Sequence, residues 1–277
     1  DQELIRGFNM PLYLELALNR GYSPVYRQQM GPDTGDPRQF KDFQDLMDAW
    51  KAQTDHQLQQ GIDFIGGRWE NGTLEHSSHG KYCFNPFLSA VTRDCIEREK
   101  DLIRGGARYV IWHIMGEGVA NAIDALAAVK KLVFDEQSAT MDELLTALRE
   151  DWKGHENLRR RFVARAPKFA NANDYADSIG EEMLRFFTES ARFHAQRHPS
   201  VIFPCSVGTF SWYILIGQEV GATPDGRHAK DAVAGNLSPA PGAEFQAPPP
   251  LSTPTSRCTW TTWRRARPLT CASPAAA

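Results

Sequence analysis

Residues 108–134 read RYVIWHIMGEGVANAIDALAAVKKLVF, and this stretch decides the fold. Arg108 to Met115 is aromatic and β-branched, the composition of a strand. Gly116-Glu117-Gly118 interrupts it. Val119, Ile123, Leu126, Val129 and Val133 then recur at helical spacing on one face. A strand that passes through a glycine turn into a helix is half of an α/β unit.

The flanks extend the pattern. Upstream, Asn9 reads as an N-cap for a helix carrying Leu12, Leu16 and Leu18, with Gly21 as its stop. Gly31 to Pro37 is turn chemistry. Phe43, Leu46, Met47 and Trp50 recur at helical spacing. Residues 61–82, rich in Gly, Asn, Ser and His, read as a loop, and Pro86 opens a helix expected to end at Gly105-Gly106. Downstream, Thr140 and Glu143 form a capping box for a helix with Leu144, Leu145 and Leu148. Asp174 starts a helix with Ile179, Met183 and Phe187. Val201 to Ile216 is a long β-prone run, and Ala222 to Gly226 is a tight turn. The expected class is α/β and helix-rich.

The bulk numbers narrow the function classes. The chain has 277 residues, 42% hydrophobic and 23% charged, with a net charge of −3. That balance gives no nucleic-acid footprint. No apolar run approaches the ~20 residues of a membrane span, and the acidic start, Asp1-Gln2-Glu3, lacks an apolar signal region. Five widely spaced cysteines without a C-x-x-C pair fit a reducing cytoplasm.

Several segments together resemble the glycyl radical enzymes of the pyruvate formate-lyase and glycerol dehydratase type. They are Phe8-Asn-Met10, Leu14-Glu-Leu16 and Thr34-Gly-Asp36; Asn85 to Ser89 through Asp94 to Glu97 and Gly105 to Tyr109; Gly116 to Asn121 with Asp124 to Phe134; and Ala166 to Phe169 with Asn173, Asp174 and Asp177. Gly221-Ala-Thr-Pro-Asp-Gly-Arg227 is the most specific match, and Leu237 to Gly242 follows at the expected distance. Ala170 stands where the family usually has glycine.

The resemblance implies residues 1–246 as part of a ten-stranded α/β barrel, from the C-terminal half of such an enzyme. In that family a partner activase, an iron-sulfur radical SAM enzyme, converts a glycine to a radical. The radical passes to a cysteine, and the thiyl takes a hydrogen atom from a small polar substrate. The cysteine loop belongs just ahead of Phe8, and an Arg-Val-x-Gly-Tyr motif is absent. The expectation is therefore a chain with no catalytic residue, no bound cofactor and no metal, inactive by itself, from a lyase, dehydratase or formate acetyltransferase. A non-catalytic remnant or binding module is the alternative. The resemblance also admits a homodimer.

From Pro248 onward the chain has no Asp, Glu, Ile, Val, Met, Phe or Tyr. Such a segment cannot offset its ordering entropy, so 247–277 is expected to be disordered. One base restored in codon 247 would permit a family-like Gly-Pro-Thr-Ala, which makes a shifted reading frame one origin of this tail.

Individual candidates follow. Ser206, Gly208 and Trp212 alternate along the expected strand and are the candidate substrate-binding residues; packing of a barrel core is the competing reading. Cys95-Ile-Glu97 imitates the family's cysteine-x-glutamate spacing, yet it sits in a charged helical stretch and reads as structural. His76 and His79 lack matching ligands for a metal. His113 and Glu117 flank the glycine turn, where close helix packing is the favoured role. Gly116-x-Gly118 lacks the third glycine and the distant acid of a dinucleotide site. Asp225 and Arg227 are expected to hold the tight turn through an ion pair.

Overall fold

A computed structural model describes residues 2–70, 85–209 and 211–243. The tail 247–277, the boundary at Gln246, and His76 and His79 lie outside these residues.

The architecture is helix-rich α/β. β1 (Gln2–Asn9) runs directly into α1 (Met10–Leu18), and a short hairpin, β2 (Tyr22–Ser23) and β3 (Gln28–Gln29), follows. Next come α2 (Phe43–Glu70), α3 (Pro86–Val91), β4 (Val110–Glu117) and α4 (Val119–Val129), the last extended by one π-helical turn, Lys130–Asp135. α5 (Met141–Arg149), α6 (Glu156–Arg165), α7 (Asp174–Ala195), β5 (Cys205–Val207) and α8 (Tyr213–Gln218) complete the order. Among the described residues the main sheet has three parallel strands, ordered β1-β4-β5, and is open. Their register runs from Gln2 beside Val110 to Asn9 beside Glu117, and Met115 lies beside Ser206.

β1 carries no expectation from sequence, because its residues alternate poorly; pairing with β4 makes it a strand. Asn9 ends it and caps α1, its side chain accepting from Leu12 N at 3.2 Å, with Pro11 in the first turn. All nine residues of α1 and all eleven of α4 are buried. The single apolar face expected for α4 is thus a fully buried helix: its alanines let α1, α6 and α7 approach from several sides. The Thr140–Glu143 capping box on α5 forms as expected.

Three expectations are corrected. Residues 61–70 are the end of α2, not loop. Gly66 is there because a Cβ would stand 2.1 Å from His198 Cγ, at the seam where His198 contacts Asp63 and Glu70. The helix opened by Pro86 ends at Val91 instead of Gly105; Asp94 takes a left-handed φ of 75°, and Arg108 grips its carboxylate in a fork at 2.8 and 2.7 Å. The run Val201 to Ile216 pairs only as a bridge at Ile202 and as β5. Thr209 and Asn236 then exchange backbone-to-side-chain hydrogen bonds at 3.0 and 3.1 Å, taking the chain out of the sheet, and Tyr213 begins α8.

Among the described residues neither outer sheet edge has a partner strand. Trp212, Tyr213, Ile214 and Leu215 are consecutive and exposed. Open edges and apolar patches drive association. The isolated chain is expected to self-associate at micromolar concentration; a sharp monomer peak in light-scattering chromatography would contradict this.

Candidate functional site: the polar face of the parallel sheet

The two faces of the sheet differ. Phe8 stacks edge-on against Phe187 of α7, ring centroids 6.1 Å apart. A Cβ on Gly116 would meet Met10 Cε at 2.8 Å and Phe187 at 3.4 Å. Phe8 and Gly116 therefore face the helices. Side chains alternate along a strand, so Gly7, Asn9, His113, Met115 and Glu117 face the opposite way. Ser206, in register with Met115, shares that face, and so does Gly208, whose Cβ would lie 2.9 Å from Met115 Sδ. The face turned away from Phe187 thus carries His113, Glu117, Ser206 and Gly208, and α8 with Glu219 covers its carboxyl end beside Asn9 and Glu117.

Glu117 is the electrostatic centre of this face. It is 3% exposed, and its Oε1 has no hydrogen-bond partner among the described residues. Burial, then the nearby charge of Glu219, pushes its carboxyl up to about 8. At neutral pH it is a protonated acid, able to donate. Asn9 Nδ2 donates to Ile216 O at 3.1 Å and reaches Glu219 Oε2 at 3.5 Å, linking the end of β1 to α8. Glu15, raised by burial against opposing hydrogen bonds, accepts from Gly221 N at 2.6 Å and Ser23 Oγ at 3.0 Å.

A second polar cluster builds the 221–227 turn. Asn121 Nδ2 donates to Asp225 Oδ2 at 2.7 Å, while its Oδ1 accepts from Ala234 N at 2.6 Å. Thr223 Oγ1 donates to Asp225 Oδ1 at 2.5 Å. Arg227 donates to the carbonyls of Asp231 at 2.7 Å, Gly221 at 2.5 Å, Val220 at 3.3 Å and Gly217 at 3.5 Å. The expected Asp225–Arg227 ion pair is corrected. Asp225 receives only the Arg227 backbone N, at 3.4 Å, and the guanidinium is spent on carbonyls. Burial lowers the pKa of Arg227, with Asp225 opposing.

Of the sequence candidates, Ser206 and Gly208 share the polar face with His113 and Glu117. Trp212 lies beyond the strand, 41% exposed, its N–H donating to Thr209 O at 2.8 Å just ahead of α8. Cys95 is buried with Leu102 and Ala107, its thiol raised mainly by burial, while Glu97 is exposed; they form no pair. Cys205 packs toward the helices, its thiol pushed up to about 12 by burial. Gly118, at φ 66°, would strike Pro11 if it bore a Cβ, so the glycine pair serves packing. Sequence reading missed Glu219 and gave Asn9 only its capping role; the fold brings both to the end of β4. Asp124 carried a usable signal, an acid inside an otherwise apolar helix.

Parallel strands backed by buried helices, with polar side chains at their carboxyl ends, define the class of α/β scaffold that takes small molecules at that end. The chain belongs to the family described as "Pyruvate formate lyase-like", which matches residues 2–217. It is 33% identical over 243 residues to trans-4-hydroxy-L-proline dehydratase of Clostridioides difficile, covering 87% of this chain and 29% of that protein. It is 31% identical over 245 residues to isethionate sulfite-lyase of Bilophila wadsworthia (strain 3_1_6), covering 87% and 28%. Among solved structures, the Clostridioides difficile hydroxyproline dehydratase with bound substrate superposes with a TM-score of 0.75 at 30% identity, covering 88% of this chain and 30% of that one. The glycerol-bound, B12-independent glycerol dehydratase from Clostridium butyricum gives 0.73 at 31% identity, covering 86% and 29%. The relatives are glycyl radical enzymes, as the sequence resemblance implied. The chain spans under a third of their length. None of its helices, among the described residues, is long and apolar enough to cross a membrane.

Proposed function

We propose that this chain is one wall of the substrate chamber of a glycyl radical dehydratase or lyase acting on a small polar molecule. The observation that carries the reading is the polar sheet face turned away from Phe187, which carries His113, Glu117, Ser206 and Gly208. Ser206 and Gly208 line the chamber, and Trp212 closes its mouth from the turn before α8. The three parallel strands are part of a ten-stranded barrel formed by residues 1–246 with the rest of the enzyme. A buried chamber suits such chemistry, because a carbon radical must be kept from water and oxygen.

In this reading the radical glycine and the catalytic cysteine lie in other parts of the enzyme. The chain itself binds no cofactor, its partner is a cytoplasmic radical SAM activase, and a second copy can pair with it as a homodimer. A neutral acid at Glu117 can donate a hydrogen bond to a substrate hydroxyl, which aids departure of a leaving group. The test incubates the 277-residue chain with an activase and a panel of diols, amino alcohols and 2-oxo acids. Neither turnover nor a glycyl electron-spin signal is expected from the chain alone. Grafted in place of the matching segment of a full-length dehydratase, it should restore turnover, with Ser206→Val raising KM. A glycyl signal from the isolated chain, or a graft indifferent to Ser206→Val, would sink the proposal.

A further inference from the structure

A cavity of about 390 Å³ is lined by Asp225, Gly226 and Arg227 of the 221–227 turn together with Asn121, Arg159 and Lys168. Small residues, Ala232, Ala240, Gly242 and Ala243, leave it roomy. Its charged wall is unusual in what it leaves unpaired. Lys168 is 5% exposed and donates only to Asp225 O, at 3.3 Å. Arg159 donates through Nε to Gly226 O at 2.7 Å. Among the described residues neither cation has a carboxylate partner, so a buried ammonium and a guanidinium edge keep donors to spare. Leaving the buried Lys168 ammonium unmet is unfavourable, while Arg159 is half-buried at the cavity wall.

The acids at this wall do not fill the need. Asp225 is taken up by Asn121, Thr223 and the Arg227 backbone N. Asp231 is exposed at the rim. Asp124, 1% exposed, accepts from Phe169 N at 2.6 Å through Oδ1 and feels the Lys168 charge, while among the described residues its Oδ2 has no hydrogen-bond partner. We propose that this cavity is a binding site for a small monocarboxylate, held by Arg159 and Lys168, with Asp124 as the adjoining acid. Two cations with free donors match the two oxygens of one carboxylate. A dianion such as phosphate would be opposed by Asp225 and Asp231, and a cationic ligand would meet Arg159 and Lys168.

Asp124 makes the site pH-sensitive. Burial raises its carboxyl to about 7, the Asp225 charge adding to this and Lys168 and Phe169 N opposing. When protonated it donates to the ligand; when ionised it repels it. Arg159, Lys168 and Arg227 on one side, and Asp225 and Asp231 on the other, are the remaining charges at the cavity.

The test follows the transverse relaxation of the acetate methyl signal with the full chain, a readout that tolerates self-association. Glycerol is the neutral control and inorganic phosphate the competitor. Acetate is expected to bind, about tenfold more weakly in Arg159→Gln, the size of one charge-assisted hydrogen bond. It should also bind more weakly at pH 8 than at pH 6. Gly242→Asp adds a rim charge where a Cβ meets nothing within 4 Å, at a φ of 78° that Asp tolerates; it should abolish binding in a folded chain. Acetate relaxation no different from glycerol's, or binding undiminished in both variants, would overturn the proposal. Phosphate binding more tightly than acetate would overturn the monocarboxylate assignment.

Discussion

Arg227→Met is expected to destabilise the fold by about 3–5 kcal/mol, lowering Tm by roughly 10 °C. Arg227 is 8% exposed, and its guanidinium gathers the carbonyls of Gly217, Val220, Gly221 and Asp231. Methionine fills similar space but has no donor, so buried carbonyls at the end of α8 and around the turn lose their partner together. Relief from burying the charge offsets only part of this. Arg227→Lys keeps the charge without the planar fork and should recover the lesser share. Denaturant unfolding of both variants measures it; an Arg227→Met chain within about 1 kcal/mol of the parent would refute the carbonyl-clamp account.

The second large effect depends on pH. The Glu117 carboxyl lies at about 8 in the folded chain against 4.5 for the free group. A folded-state pKa above the unfolded value gives stability that is complete below 4.5 and is lost as pH rises through about 8. Across that window the loss attributable to Glu117 is on the order of 4–5 kcal/mol. Glu117→Gln should remove it, so the variant gains on the parent steadily from pH 5 to pH 8 and holds a constant margin above. Glu219→Gln removes the second cause of the shift and should end the decline at lower pH. Asp124 adds a parallel decline from 3.8 to about 7 that neither variant touches. Parallel stability profiles for parent and Glu117→Gln would show that the buried acid is not the source.

Much of this was legible in the chain itself. The strand-turn-helix at 108–134, the Asn9 cap, the Thr140–Glu143 box and the helix from Asp174 each rest on neighbours within a few residues, so local chemistry suffices to read them. The misreadings share one cause. Gly66 and the Gly105-Gly106 pair looked like punctuation, yet Gly66 makes room for His198, and a Cβ on Gly106 would crowd Lys100 O and Cys95 Sγ. The β-prone run to Ile216 was ended by a side-chain clamp from Asn236, 27 residues beyond Thr209.

The site divides the same way. Ser206 could be placed on a strand from the β-prone run around it, with Gly208 just past the strand's end, and Asp225 and Arg227 in a turn from their spacing. Their partners could not be read from sequence, because Glu117 meets Glu219, and Asn121 meets Asp225, across about a hundred residues of chain. Sequence alone determined the helix-rich α/β class, the family and most element starts, since periodicity, caps and motifs are properties of adjacent residues. Only the tertiary structure decided which acids are neutral, which cations lack a carboxylate partner and which sheet face carries the polar groups. Those depend on burial and on distant charges, and neither exists until the chain is folded.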